Sequence, residues 1–227
     1  MDGVNSEKSS ALSNTDITED SNLDKSTNLT NKDSLYVAGQ TPIYSQDNIE
    51  NMGLAVFSGA KLVGELNGFE SIMHLIVSND LNTCNIHIPN PIQDTDNLDV
   101  YLTLKKKTKN SVDFVNGTPL VSSKIYVNIQ IDSSSQASTN SDKNYYSAEN
   151  TKLIEEACNS YLEKCIKDYL YKTSKDFNAD IDGFGRYAVK YFSTMQEWSD
   201  YNWLNRFKDA TFDVKVETTL ESGNTFL

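Results

Sequence analysis

Chemistry in this chain has to come from a short list of side chains. The only histidines are His74 and His87, and Cys84 with His87 forms a C-x-x-H spacing of the kind zinc sites use. On a strand that odd offset sends the two side chains to opposite faces. No third and fourth ligand stands beside them, so the residues favour no metal site. Asp180 and Asp182 are the other suggestive pair. In an extended segment both carboxylates would face the same way, as acid–base pairs must; in a turn the same residues bind backbone amides. Asp180-Ile181-Asp182-Gly183-Phe184-Gly185 is too glycine-rich to continue a helix, and it reads as a shaped corner with Phe184 buried. The serines lie mostly in polar tracts and lack a G-x-S-x-G elbow. Trp198 leads a dense aromatic run with Tyr201, Trp203 and Phe207, which could hold a sugar ring but at that density reads better as packing. No phosphate loop or cofactor motif is present, and no cofactor is expected.

The elements that must position these residues are legible in outline. Two short apolar runs, Gly53-Leu54-Ala55-Val56-Phe57 and Lys61-Leu62-Val63-Gly64-Glu65-Leu66, flank Ser58-Gly59-Ala60 and predict a hairpin. Leu35–Ala38 and Pro42–Tyr44 look like short extended pieces before it. Asn67 can cap a helix running to about Ser78, with Phe69, Ile72, Met73 and Ile76 at helical spacing. Ile86 and Ile88 alternate in a strand ending at Pro89. Val100, Leu102 and Leu104 share a strand face, as do Ile125, Val127, Ile129 and Ile131. With Asn116-Gly117 between them, these predict antiparallel neighbours with a long connection. Residues 132–144 read as a polar surface loop. Residues 148–176 carry a continuous apolar stripe through Ile154, Cys158, Leu162, Ile166 and Leu170, the mark of a long amphipathic helix. Glu163 with Lys167 and Asp168 with Lys172 fall at i,i+4 on it. Phe184, Ala188, Tyr191 and Met195 suggest a second helix, and Phe212, Val214 and Val216 a closing strand. The expected class is α+β, a mainly antiparallel sheet packed against the 148–176 helix and shorter helices.

Composition narrows the function classes. Residues 1–34 hold no aromatic residue or proline and seven acids against three lysines, which predicts a disordered polar leader. Residues 35–227 then form the expected single domain. The whole chain carries a net charge of −12, unsuited to nucleic acid, and Lys105-Lys106-Lys107 with Lys109 reads as a solvated strand end. No apolar run is long enough to span a bilayer, and neither a signal peptide nor a lipid-attachment cysteine opens the sequence, so a soluble chain is expected. Cys84, Cys158 and Cys165 are an odd count. Cys158 and Cys165 lie about 10 Å apart along the predicted helix axis, too far to pair, and read as small hydrophobes.

The hairpin runs Gly53–Leu66 and the Asp180–Gly185 corner, in their order and separation, resemble the C-terminal domain of the Ger(x)C family of spore-germination lipoproteins. Matching stretches are Gly53–Phe57, Lys61–Leu66, Asp180–Gly185 and a tail with Trp198, Trp203, Phe207, Val214, Val216 and Gly223. The resemblance covers roughly residues 50–227. The family's usual proline after the corner is missing from Phe192-Ser193-Thr194-Met195. What the resemblance implies is a non-enzymatic subunit of a nutrient germinant receptor, acting by contact with two integral-membrane subunits. It also implies a place on the outer face of the inner spore membrane, with contact to the membrane only indirect, through a lipid anchor. That anchor and the further domains of full-length members are absent here, so a fragment or a short relative is expected. The family brings no catalytic residues. Phe184, Tyr187, Tyr191, Trp198 and Tyr201 are the candidate interaction surface, since glycine permits close approach and Trp and Tyr anchor interfaces. The alternative is an extracytoplasmic hydrolase or carbohydrate-binding module using Asp180, Asp182 and Trp198.

Overall fold

The computed structural model describes residues 53–93, 97–132 and 145–221. The leader, the extended pieces at Leu35–Ala38 and Pro42–Tyr44, nearly all of the polar loop expected at 132–144, and Gly223 lie outside the described residues. Strands β1 (Gly53–Ser58) and β2 (Lys61–Asn67) form the expected antiparallel hairpin, with a bulge between Val56 and Phe57. Helix α1 (Gly68–Ser78) starts at a reciprocal cap. The Asn67 side chain accepts from the Glu70 amide at 2.8 Å, and the Glu70 carboxylate accepts from the Asn67 amide at 2.9 Å. Asn79 closes it in the left-handed region.

The main sheet has four strands in the order β3 (Thr83–Pro89), β4 (Asn97–Val115), β5 (Thr118–Ile131), β6 (Thr211–Leu220). Three of them run antiparallel, and β6 lies parallel to β5. The expected long connection between the two alternating strands does not exist. Strand β4 continues through the lysine run to a two-residue turn, where Asn116 and Gly117 take φ of +51° and +79°. Bulges between Leu104 and Lys109 absorb the break in alternation, which made this stretch look like a loop in the sequence.

Helix α2 (Ala148–Tyr171) continues through a widened turn at Lys172–Asp176, matching the predicted span. Ser147 caps its start by accepting from the Asn150 amide. Ile154, Cys158, Leu162, Ile166, Tyr169 and Leu170 are buried, and they join the β3–β6 inner face and α1 in one core. Burial pushes the Cys158 thiol up to about 11, as befits a packed side chain rather than a reactive one.

The flank of α2 also closes the β6 edge. Glu155, Asn159 and Glu163 accept from the backbone amides of Leu220, Thr218 and Val216 at 2.9, 2.8 and 3.1 Å. Four residues of helix rise about 6 Å and two residues of strand about 6.7 Å, so every fourth helical side chain meets every second strand amide. This overrides the i,i+4 pairs expected from sequence. Glu163 is spent on β6, and Lys172 reaches Glu70 of α1 at 2.7 Å. The helical pairs that form instead are Lys164 with Asp168 and Lys152 with Glu156.

The second helix expected after the corner is broken into short pieces. Gly185–Ala188 (α3) and a tight turn at Val189–Tyr191 end where Phe192 turns extended. Thr194 then starts α4 (Met195–Tyr201) with its own capping box to Glu197, and α5 (Trp203–Phe207) follows Asn202, which has φ of +54°. The Thr194 cap satisfies an amide that a continuous helix would have bonded along its axis.

Candidate functional site

Leaving α2, the chain passes Asn178 in the left-handed region and enters the glycine corner. Asp180 accepts three hydrogen bonds there: from the Phe184 amide at 2.8 Å, the Gly185 amide at 2.7 Å and the Trp203 Nε1 at 2.8 Å. Gly183 holds φ of +72°, with the Arg186 guanidinium lying where a Cβ would point. A Cβ on Gly185 would lie 3.1 Å from the Trp203 Nε1 and 3.3 Å from the Asp180 Oδ2, so glycine keeps that hydrogen bond short. Phe184, fully buried, packs on Phe207 inside the corner.

Asp182 points the other way, into the core. Its Oδ2 accepts from the Tyr169 hydroxyl of α2 at 2.8 Å, and its Oδ1 lies 2.9 Å from the His74 Nδ1 of α1. His74 Nδ1 is also 3.0 Å from the Tyr169 hydroxyl. The three elements are thereby tied through one carboxylate, 5% exposed. Burial raises the affinity of Asp182 for a proton, and the hydrogen bond to Asp182 raises that of His74 above the ordinary histidine value. Tyr169 is pushed far up by burial and stays a hydrogen-bond donor.

The two aspartates therefore do not converge as a catalytic pair. Each is consumed by its own partners. Trp198 offers no ready sugar platform either. Its ring stacks on Trp203 at 5.8 Å and 27°, and on Tyr201 at 6.4 Å and 18°. Cys84 and His87 point apart as the strand geometry requires, with His87 paired to Asp99 directly across β4.

What the structure assembles instead is an aromatic ladder. Tyr171, Phe212, Phe207, Trp203, Trp198 and Phe192 contact one another in succession, and Phe192 reaches Phe114 beside the β4–β5 turn. Tyr191 and Tyr201 pack edge-on against Phe114. The Tyr191 hydroxyl donates to Asp113 at 2.6 Å, and that of Tyr201 to the Gly117 carbonyl at 3.2 Å. The inner end of the ladder is core. At the outer end Tyr191 is 50% exposed, and Val115, next in sequence to Phe114, and Met195, next to Thr194, are exposed by 55 and 73%.

Of the residues singled out from sequence, Phe184 leaves the surface because it fills the corner. Tyr187, Trp198 and Tyr201 are half-buried, Trp198 within the ladder itself, and Tyr191 is exposed. Met195 figured in the sequence only as a member of the expected second helix, and Val115, at the foot of the Asn116-Gly117 turn, was not singled out. His74 stood out only as one of two histidines, and Tyr169 only as part of the apolar stripe of the long helix. Nothing local marks the carboxylate that joins them from another element.

These features define an α+β protein whose glycine corner is a structural joint. The chain belongs to the family described as spore germination B3/GerAC like, C-terminal, whose model matches residues 52–223. The crystal structure of the GerBC protein shares the fold, with a TM-score of 0.57 at 17% identity over 71% of this chain. The match covers 48% of the GerBC chain, so this sequence spans about half that protein's length. No curated protein matches. Among the described residues, no helix is long and apolar enough to cross a membrane.

Proposed function

We propose that this chain is a non-catalytic part of a spore nutrient germinant receptor, a C-subunit-type module that works by contact. By resemblance its partners are the two integral-membrane subunits, and its place is the outer face of the inner spore membrane. The observation that carries the contact reading is the exposed apolar end of the aromatic ladder. Exposed Tyr191 and half-buried Tyr201 both pack on Phe114, and Tyr201 stacks on Trp198, rigid rings already ordered by packing, so docking them costs little side-chain entropy. The hydrolase reading has the opposite support, because Asp180 and Asp182 are each satisfied internally.

The test replaces Val115, Tyr191 and Met195 by serine in a full-length receptor. Retained folding with lost capture of the membrane subunits and slowed nutrient germination is the expected result. Normal capture and germination by the folded variant would sink this surface as the docking site.

A further inference from the structure

A pocket of about 530 Å³ opens between α1 and the C-terminal end of α2, and it shares no residue with the docking end. That volume is in the range of small-molecule sites. Its apolar lining comes from Phe69 and Met73 of α1 and from Cys165 and Tyr169 of α2. Across it Lys172 donates to both carboxylate oxygens of Glu70 at 2.7 Å, a half-buried ion pair that ties the two helices and fixes the spacing of the walls. The widened turn Lys172–Asp176 adds Lys175 and Asp176 to the lining. Turns of this π type are rare and occur often at functional sites. The remaining charge is Asp168, which Lys164, outside the pocket, holds at 3.1 Å. The Lys175 ammonium lies 4.6 Å from the centre of the Tyr171 ring. Among the described residues, neither Lys175 nor Asp176 has an ion-pair partner.

With Glu70 held by Lys172 and Asp168 by Lys164, the lining keeps one unpaired cation and one unpaired anion beside an apolar wall. A ligand of a single sign gains at one of them and is repelled by the other. A neutral apolar ligand covers both and pairs with neither, which costs desolvation. A ligand that carries both signs on an apolar body gains at each point. We propose that this pocket binds a small zwitterion, an ammonium and a carboxylate joined through an apolar body. Lys175 takes the carboxylate, Asp176 the ammonium, and Phe69, Met73 and Cys165 cover the body. A free apolar amino acid and a short apolar peptide share that chemistry. The site does not rest on the receptor reading above, and either can fail without the other.

The experiment titrates the full chain by calorimetry with L-leucine and with the dipeptide Leu-Leu. Two controls run beside them: leucinamide, which lacks the carboxylate, and N-acetylleucine, which lacks the ammonium. The expected result is that one or both zwitterions bind at least about tenfold more tightly than either control, and which of them binds names the source. K175Q and D176N change exposed side chains and keep the Glu70–Lys172 pair, so both stay folded, as circular dichroism will check. Each weakens zwitterion binding about tenfold, as the loss of one charge-assisted hydrogen bond at an exposed rim requires. Cys165 supplies a local readout. Bound zwitterion slows its alkylation by iodoacetamide, while that of Cys84, outside the lining, is unchanged. Neither heat nor Cys165 protection with either zwitterion overturns the proposal. So does equal binding of a singly charged control, or unchanged affinity in either variant.

Discussion

Replacing Asp180 by alanine separates a structural aspartate from a catalytic one. The substitution leaves three donors without their acceptor: the Phe184 and Gly185 amides and the Trp203 indole. Hydrogen bonds to a charged acceptor contribute about 1.5–3 kcal/mol each. Asp180 is partly exposed and water can replace some of what is lost, so the lower end applies, and the sum is about 4 kcal/mol. With a urea dependence of about 2 kcal/mol per molar, the unfolding midpoint falls by about 2 M. Thermal unfolding moves down by about 8–16 °C. Asp180→Asn keeps one acceptor oxygen and falls between. Urea titration followed by tryptophan fluorescence reads both changes, since Trp203 sits on the carboxylate itself. A loss below about 1 kcal/mol for D180A would refute the joint as described.

Two further outcomes follow from the same geometry. His74 and Asp182 both bind protons more tightly folded than unfolded, so the folded state carries more protons and stability falls as pH rises. The His74 share is complete below pH 6.5 and is lost as pH climbs through its raised folded value; urea midpoints across neutrality should decline in the native chain and flatten in Asp182→Asn, and an equal slope in both would sink the assignment. Removing the edge clamp with E155A/N159A/E163A should cost about 2–4 kcal/mol, at about 1 kcal/mol per bond, and promote self-association visible by size-exclusion chromatography. Glutamine at 155 and 163 still offers an accepting oxygen and should restore most of the loss; failure to do so would point to charge rather than edge closure.

The α+β class, the β1–β2 hairpin, the capped α1 and the long α2 were all legible in the sequence. Each is written in local terms: alternation at period two, an Asn-x-x-Glu cap, a one-sided stripe from Ile154 to Leu170 sustained over about five turns. The glycine corner was legible too, because a positive φ at Gly183 and a close approach at Gly185 demand particular residues. What the sequence could not reveal are relations between distant elements. Asp180 and Asp182 are two residues apart, yet one faces Trp203 and the other His74 and Tyr169, and only the fold of the corner decides which. Glu163 looked ready for Lys167 until β6 arrived beside it with unbonded amides. Local propensity acts through the backbone of a few residues, whereas buried carboxylates and closed edges exist only once strands pair and helices pack.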